Sequence, residues 1–309
     1  MGRRQRILLV LLVSMGLMGG ALAAPAQATS ETEGPSVLTA VRTGHHPGFD
    51  RIVLDFEGGL PSHREVRWSD GPRYPGSGAP MNVHGDAFLE VTLHAHTSDE
   101  LYGGPGLADP DRAIALPNLN DMRAAPSFEG VVTVGFGLMK RTEILRTFTL
   151  DNPSRYVIDV STDFPQRWAR VYFFDEDRVA TGEEPLVRHV LRRVPFPAVA
   201  NAQLHRFYAG PTPAEADDGL ILVHSLVLPS DLEQDHRTGF TGLRVSDGVL
   251  HMRFTRPCSS GGSTITVAGE LMPTLKYWST VDHVKIYDED GTTQEPTGRS
   301  DSVPECLEP

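Results

Sequence analysis

Three short stretches carry residue types whose spacing suits chemistry. In His94-Ala95-His96 the two imidazoles stand at alternate positions, and alternate residues of a strand share a face, so the pair could hold one zinc ion. The same run argues against it: Leu89, Val91, Leu93 and Ala95 read as the apolar face, which turns Glu90, Thr92, His94 and His96 to water with no third ligand nearby. His45-His46, in a turn before Pro47, offers less. Asp288-Glu289-Asp290-Gly291 resembles the start of a calcium loop, with Asp288 and Asp290 as hard oxygen ligands, but the remaining positions and a closing glutamate are missing. An acidic turn with Gly291 at positive φ explains it more simply. Asp175-Glu176-Asp177 poses the same choice with less support. Finally, Ser259-Ser260-Gly261-Gly262-Ser263 lacks the G-x-S-x-G elbow of a nucleophile and reads as a flexible linker. Paired carboxylates for glycoside hydrolysis cannot be located among 40 acidic residues by spacing alone. No catalytic residue, cofactor or complete metal site is therefore assigned. His94, His96, Asp288 and Asp290 are the nearest candidates for metal ligands.

The compartment follows from the first 28 residues. A basic start (Arg3, Arg4, Arg6), an apolar run from Ile7 to Leu22 and the small-residue exit Ala26-Gln27-Ala28 make an export signal cleaved after Ala28. Arg3-Arg4 lacks the apolar follow-on of a twin-arginine signal, and no cysteine near the exit indicates a lipid anchor. The expectation is a secreted, envelope-associated chain without a membrane span once the signal is gone. Cleavage removes three arginines and no acid, which takes the net charge from −12 to −15. Such a chain repels phosphate backbones, so nucleic acid is excluded as a partner. Cys258 and Cys306 are the two cysteines, and in an oxidising compartment they read as a disulfide worth roughly 4 kcal/mol on the chain-entropy account.

The elements that must position these groups fall into two textures that meet near residue 165. From Val37 to Val160 short alternating runs such as FDRIVLDFEG, FLEVTLHAH and VVTVGFG are separated by Gly, Pro and Asp. Period-two alternation broken by turn residues predicts an all-β sandwich. Ser69 to Pro80 and Tyr102 to Gly106 read as surface loops. The second half opens with a strand, Ala169 to Phe174, and continues with a helix over Ala198 to Tyr208, whose apolar residues recur at helical spacing. In FYAGPTPAE that follows, Gly210 closes the helix in the left-handed region and the prolines stop it. GLRVSDGVLHMRF predicts a hairpin turning at Asp247-Gly248. Ser263 to Trp278 reads as a helix that Pro273 kinks or breaks, and Val281 to Tyr287 as a strand. Together these predict an α+β layer, joined to the sandwich by Ser161 to Trp168, with Phe164 and Trp168 tying the halves.

The order VYFFDEDR, VPFPAVANAQLHRFYAGPTPAE, GLRVSDGVLHMRF and VDHVKIYDEDG resembles the GerMN domain of secreted and lipid-anchored bacterial envelope proteins. AVRTGHHPGFDRIVLDFEG and the closing SRYVIDV resemble the AMIN-like domain of secreted actinobacterial proteins; AMIN domains elsewhere are envelope-targeting modules that bind peptidoglycan. The resulting division is a signal over 1–28, a short segment over 29–36, an AMIN-like β domain over 37–162, a GerMN-like domain over 169–295, and a disulfide-stapled tail over 296–309. The expected function is non-catalytic binding of peptidoglycan, another cell-wall glycan or an envelope protein. The alternative is an extracellular hydrolase, metal-assisted through His94 and His96.

Overall fold

The structure is a computed structural model and describes residues 34–99, 106–223 and 239–308; the export signal and most of the Tyr102–Gly106 loop lie outside them. Strands β1 (Val37–His46) and β2 (Phe49–Glu57) form a hairpin over Gly48, whose φ is 88°. With β5 (His96–Thr97), β9 (Ile144–Leu150) and β10 (Ser154–Ser161) they make one sheet, ordered β5-β1-β2-β10-β9. The second sheet is β3-β4-β8-β7-β6, from Arg64–Ser69, Ala87–Leu93, Val132–Leu138, Leu119–Ala124 and Asp111–Ala113. Inward side chains of both sheets, among them Ile52, Leu54 and Ile158 against Leu89, Val91 and Phe136, merge into one dry core. Each fully buried aliphatic or aromatic side chain there contributes about 1.5–3 kcal/mol. The N-terminal half is thus all-β, as the alternation implies.

One reading fails on this half. The alternation of VVTVGFG implies a strand open to water on one face, yet all of β8 is buried. The Gly/Pro-rich stretch from Asp70 to Asp86 folds back over the outer face and buries Met81, Val83 and His84. It lies too close for any larger residue: a Cβ on Gly135 would sit 2.5 Å from the Pro72 ring, and one on Gly137 2.3 Å from the His84 carbonyl oxygen. Ser69–Pro80, read as a surface loop, is exposed or half-buried apart from Pro72; the covering side chains Met81, Val83 and His84 follow it, and the glycines that admit the cover lie on β8.

The second half begins without a pause. β11 (Gln166–Asp175) pairs with β12 (Val187–Pro195) along its length and with β13 (Leu220–Ile221) at its end. Asp175 accepts the Arg178 amide at 3.0 Å and so caps the short helix α1 (Glu176–Thr181). Helix α2 (Val199–Tyr208) packs on β11 and β12 and ends as the sequence predicts, with Gly210 at φ 81° donating to the Phe207 carbonyl. GPTPAE does more than stop it: Thr212 opens a second helix, α3 (Pro213–Asp217), and the Glu215 carboxylate accepts the Thr212 amide at 2.8 Å. The fourth sheet, β14-β15-β16, joins β14 (Phe240–Ser246) and β15 (Val249–Phe254) through Asp247-Gly248, both at positive φ, with β16 (His283–Tyr287) parallel to β15.

Helix α4 (Ala268–Leu275) runs through Pro273, where the sequence implies a kink or a break, so the helix is not broken there, while Ser263–Val267 stay outside it. The helix also solves a problem that β11 poses. Where β13 ends, the β11 edge would be left with unpaired amides, a costly state in a buried strand. Thr274 Oγ1 accepts the Tyr172 amide at 3.0 Å, Glu270 accepts the Phe174 amide at 3.2 Å, and Gln203 donates to the Arg170 and Thr274 carbonyls. Three buried polar side chains replace a strand. The residues after Gly291 are likewise built in: Ser302 exchanges hydrogen bonds with Val284 and Ile286, and the buried Lys285 ammonium donates to the Glu295 and Thr297 carbonyls and Ser300. Cys258 and Cys306 form the disulfide, with Cα atoms 5.5 Å apart.

Gly34–Pro309 fold as one compact unit. Phe164 joins a small cluster of Met139, Ala169, Val194 and Ala202 that bridges the halves; Trp168, expected to do the same, stands 50% exposed.

Candidate functional site

The halves meet on α2. Its Arg206 is fully buried and donates to five acceptors: the carbonyls of Leu116, Pro117, Leu119 and Arg193, and the Asn120 side chain. All but one of these belong to the loop into β7 or to β7 itself. Among the described residues no carboxylate touches the guanidinium, and burial beside Arg192 lowers its pKa to about 9. Asn120 returns the contact by donating to the His205 carbonyl at 2.9 Å, and Asp86 receives both Asn201 and His205. Positions 201 and 205 are one helical turn apart, so a single face of α2 carries the anchors.

Beside this junction opens a cleft of about 720 Å³, walled by β6 and β7 on one side and by the end of α2, Leu220–Val223 and Arg256 on the other. Its polar floor comes from the β-half. His84 Nδ1 lies 2.7 Å from Asp121, whose carboxylate also accepts the His84 amide at 2.9 Å. Nδ1 is thus taken by Asp121, and Nε2 is the ring nitrogen left over. The contact depends on Gly137, since a Cβ there would sit 2.2 Å from Asp121 Oδ1. Asp111 pairs with Arg123 at 2.9 Å, and burial raises the Asp111 pKa against the pull of that arginine, with Asp121 adding to the rise. Arg112 donates to the Val41 and Asp109 carbonyls, and burial lowers its pKa. From the second half Tyr208 stacks on Phe240 and lies 6.2 Å from the His84 ring. Its hydroxyl is buried without a hydrogen-bond partner among the described residues, and burial raises its pKa. The cleft thus offers three arginines (Arg112, Arg123 and Arg256), two carboxylates, an imidazole and an unsatisfied hydroxyl beside apolar walls. Among its lining residues there is no serine, threonine or cysteine.

The residues singled out by sequence lie elsewhere. His94 sits in the bend after β4 and His96 begins β5, so they are not alternate positions of one strand; His94 packs against the His63 ring at 4.8 Å. Glu90, expected to face water, is buried beneath the cover and pairs with Arg67. His45 donates to Asp50, a buried carboxylate that also receives the Asn118 and Leu119 amides and so ties the two sheets. The Asp288 carboxylate accepts the Asp290 and Thr292 amides, and Gly291 has φ 83°, the geometry of a tight acidic turn. The serines at 259, 260 and 263 accept amides two residues on. Among the described residues no group of three or more His, Cys, Asp or Glu is placed to hold a metal ion.

His84, Asp121, Arg112 and Arg123 were missed because nothing near them in sequence marks a site. His84 lies 37 residues before Asp121, and sheet register brings Asp111 opposite Arg123 and Ala113 opposite Asp121. A faint signal was present in the charged run DRAIALPNLNDMR, which places four ionisable groups on a short hairpin.

A family model described as AMIN-like domain matches residues 36–162. No curated protein and no solved structure matches the chain. Nothing in these comparisons bears on the GerMN resemblance of the second half. Among the described residues no helix is long and apolar enough to cross a membrane.

Proposed function

We propose that this is an exported, envelope-associated binding protein that holds a peptidoglycan fragment in the cleft beside the junction. The observation that carries the reading is that the polar floor, Arg112, Asp121 and Arg123 on β6 and β7, belongs to the stretch matched by the AMIN-like domain. AMIN-like domains are binding domains of secreted or envelope proteins, which suggests cell-wall binding. Peptidoglycan carries both carboxylates and neutral sugar hydroxyls. Arginine forks suit the first, while His84 Nε2 and the unsatisfied Tyr208 hydroxyl suit the second. Residues 169–295, retained as a GerMN-like layer, supply the opposite wall.

The test is retention of the mature protein on purified cell walls. Wild type co-sediments with the wall, and Arg123→Ala lowers the retained fraction about tenfold, the loss expected for an interface arginine. Equal recovery of both in the supernatant rejects the reading. A second reading, hydrolysis, is favoured by one feature: Asp111 and Asp121 share a face, and the Asp111 pKa is raised, as in an acid–carboxylate pair. Against it, Asp121 is already engaged by His84 and Asp111 by Arg123. Release of new reducing ends from the wall would favour hydrolysis.

A further inference from the structure

The β11–β12 hairpin has a face that the core does not use. Along it, cross-strand partners Trp168 and Arg193, Arg170 and Leu191, and Tyr172 and His189 point away from α2. Trp168 is 50% and Leu191 53% exposed, the highest values among the large apolar side chains of the described residues. The pairs are held in place. The Arg193 guanidinium lies 4.5 Å from the Trp168 ring centroid, Tyr172 and His189 are 5.5 Å apart, and Arg170 sits 5.8 Å from Tyr277. Stacking orients both guanidiniums without using their N–H donors.

No acid stands among the six, and neither Arg170 nor Arg193 has a carboxylate partner among the described residues. On the same two strands Arg188 pairs with Asp175 and Asp218 and Arg192 with Glu215, while Arg167 stacks on Phe196. The β11 backbone is held along its edge by Thr274, Gln203 and Glu270. Aromatic side chains such as Trp168 and Tyr172 pack on sugar rings, and the two guanidiniums beside them, without carboxylate partners, receive carboxylates. A bilayer calls instead for an apolar face set apart from the charges, while here arginines and apolar groups alternate across the pairs.

We infer that this face is a second docking surface, for a carboxylate-bearing glycan strand, independent of the cleft. The idea deepens the wall-binding reading but uses different residues, so the two can fail separately.

The probe is polygalacturonate, a soluble glycan with carboxylates, titrated into the full mature chain with neutral galactan as control and tryptophan fluorescence as readout. The expected result is binding to polygalacturonate with a change in emission, weak or no binding to galactan, and an affinity about tenfold lower in Trp168→Ala and in Arg193→Ala. Trp168→Phe restores most of the affinity, and Arg123→Ala in the cleft leaves it unchanged. Both tested side chains are exposed, so the variants keep the fold. Failure to bind polygalacturonate, binding that ignores the Trp168 and Arg193 substitutions, or tighter binding to phosphatidylglycerol vesicles than to polygalacturonate would overturn the inference. Polygalacturonate binding with no wall retention would leave it standing and reject the cleft reading instead.

Discussion

Glu270 shows how much one buried residue can control. It is wholly buried, faces no cation, and accepts the amides of Phe174 and Val223; desolvation raises its pKa to about 8 from 4.5. The folded state therefore keeps a proton that the unfolded chain releases. Stability is fullest below pH 4.5, falls between 4.5 and 8 at about 1.4 kcal/mol per pH unit from this group, and levels above 8. Glu270→Gln keeps the acceptor oxygen and removes the titration. Urea denaturation across that range should give a slope in the wild type that the variant lacks; identical slopes would mean that Glu270 is ionised in the folded protein. Neither the seal nor its pH dependence was legible beforehand, because a lone glutamate in GELMPTLKYW reads as a solvent-facing helix residue.

At the scale of elements, local chemistry was the legible part. The β1–β2 hairpin, the Asp247-Gly248 turn, helix α2 and its Gly210 stop all follow from alternation, helical spacing and turn residues. What sequence hid was whatever covers or completes an element from afar: the Asp70–Asp86 stretch over β8, α4 sealing β11, and the tail residues around Ser302 against β16. FYAGPTPAE lies between these cases. Its stop was read from the sequence, but not the cap that Thr212 and Glu215 give α3, nor that Glu215 also clasps Arg192 with bonds of 2.8 and 2.5 Å. Arg192 is nearly inaccessible, so Glu215→Ala removes a cap and strands a buried charge. A loss of about 3 kcal/mol or more is expected. Thermal unfolding checks it, and a change under 1 kcal/mol, about the value of an exposed pair, would place Arg192 in water.

The whole molecule is more tightly joined than two textures of sequence imply. The sandwich and the second half keep separate cores, yet Arg206, Asn201 and His205 of one helix bind the backbone and Asp86 of the other half. That joint fixes the cleft walls relative to each other, which is what a binding site between halves requires. The most direct measurement is hydrogen exchange of the mature protein with and without soluble peptidoglycan fragments. Slowed exchange at the β6–β7 hairpin, His84 and the segment from Tyr208 to Val223, whether or not the β11–β12 face is also protected, is the predicted result. Unchanged exchange there at saturating fragment, or protection appearing only on surfaces remote from it, would contradict the account.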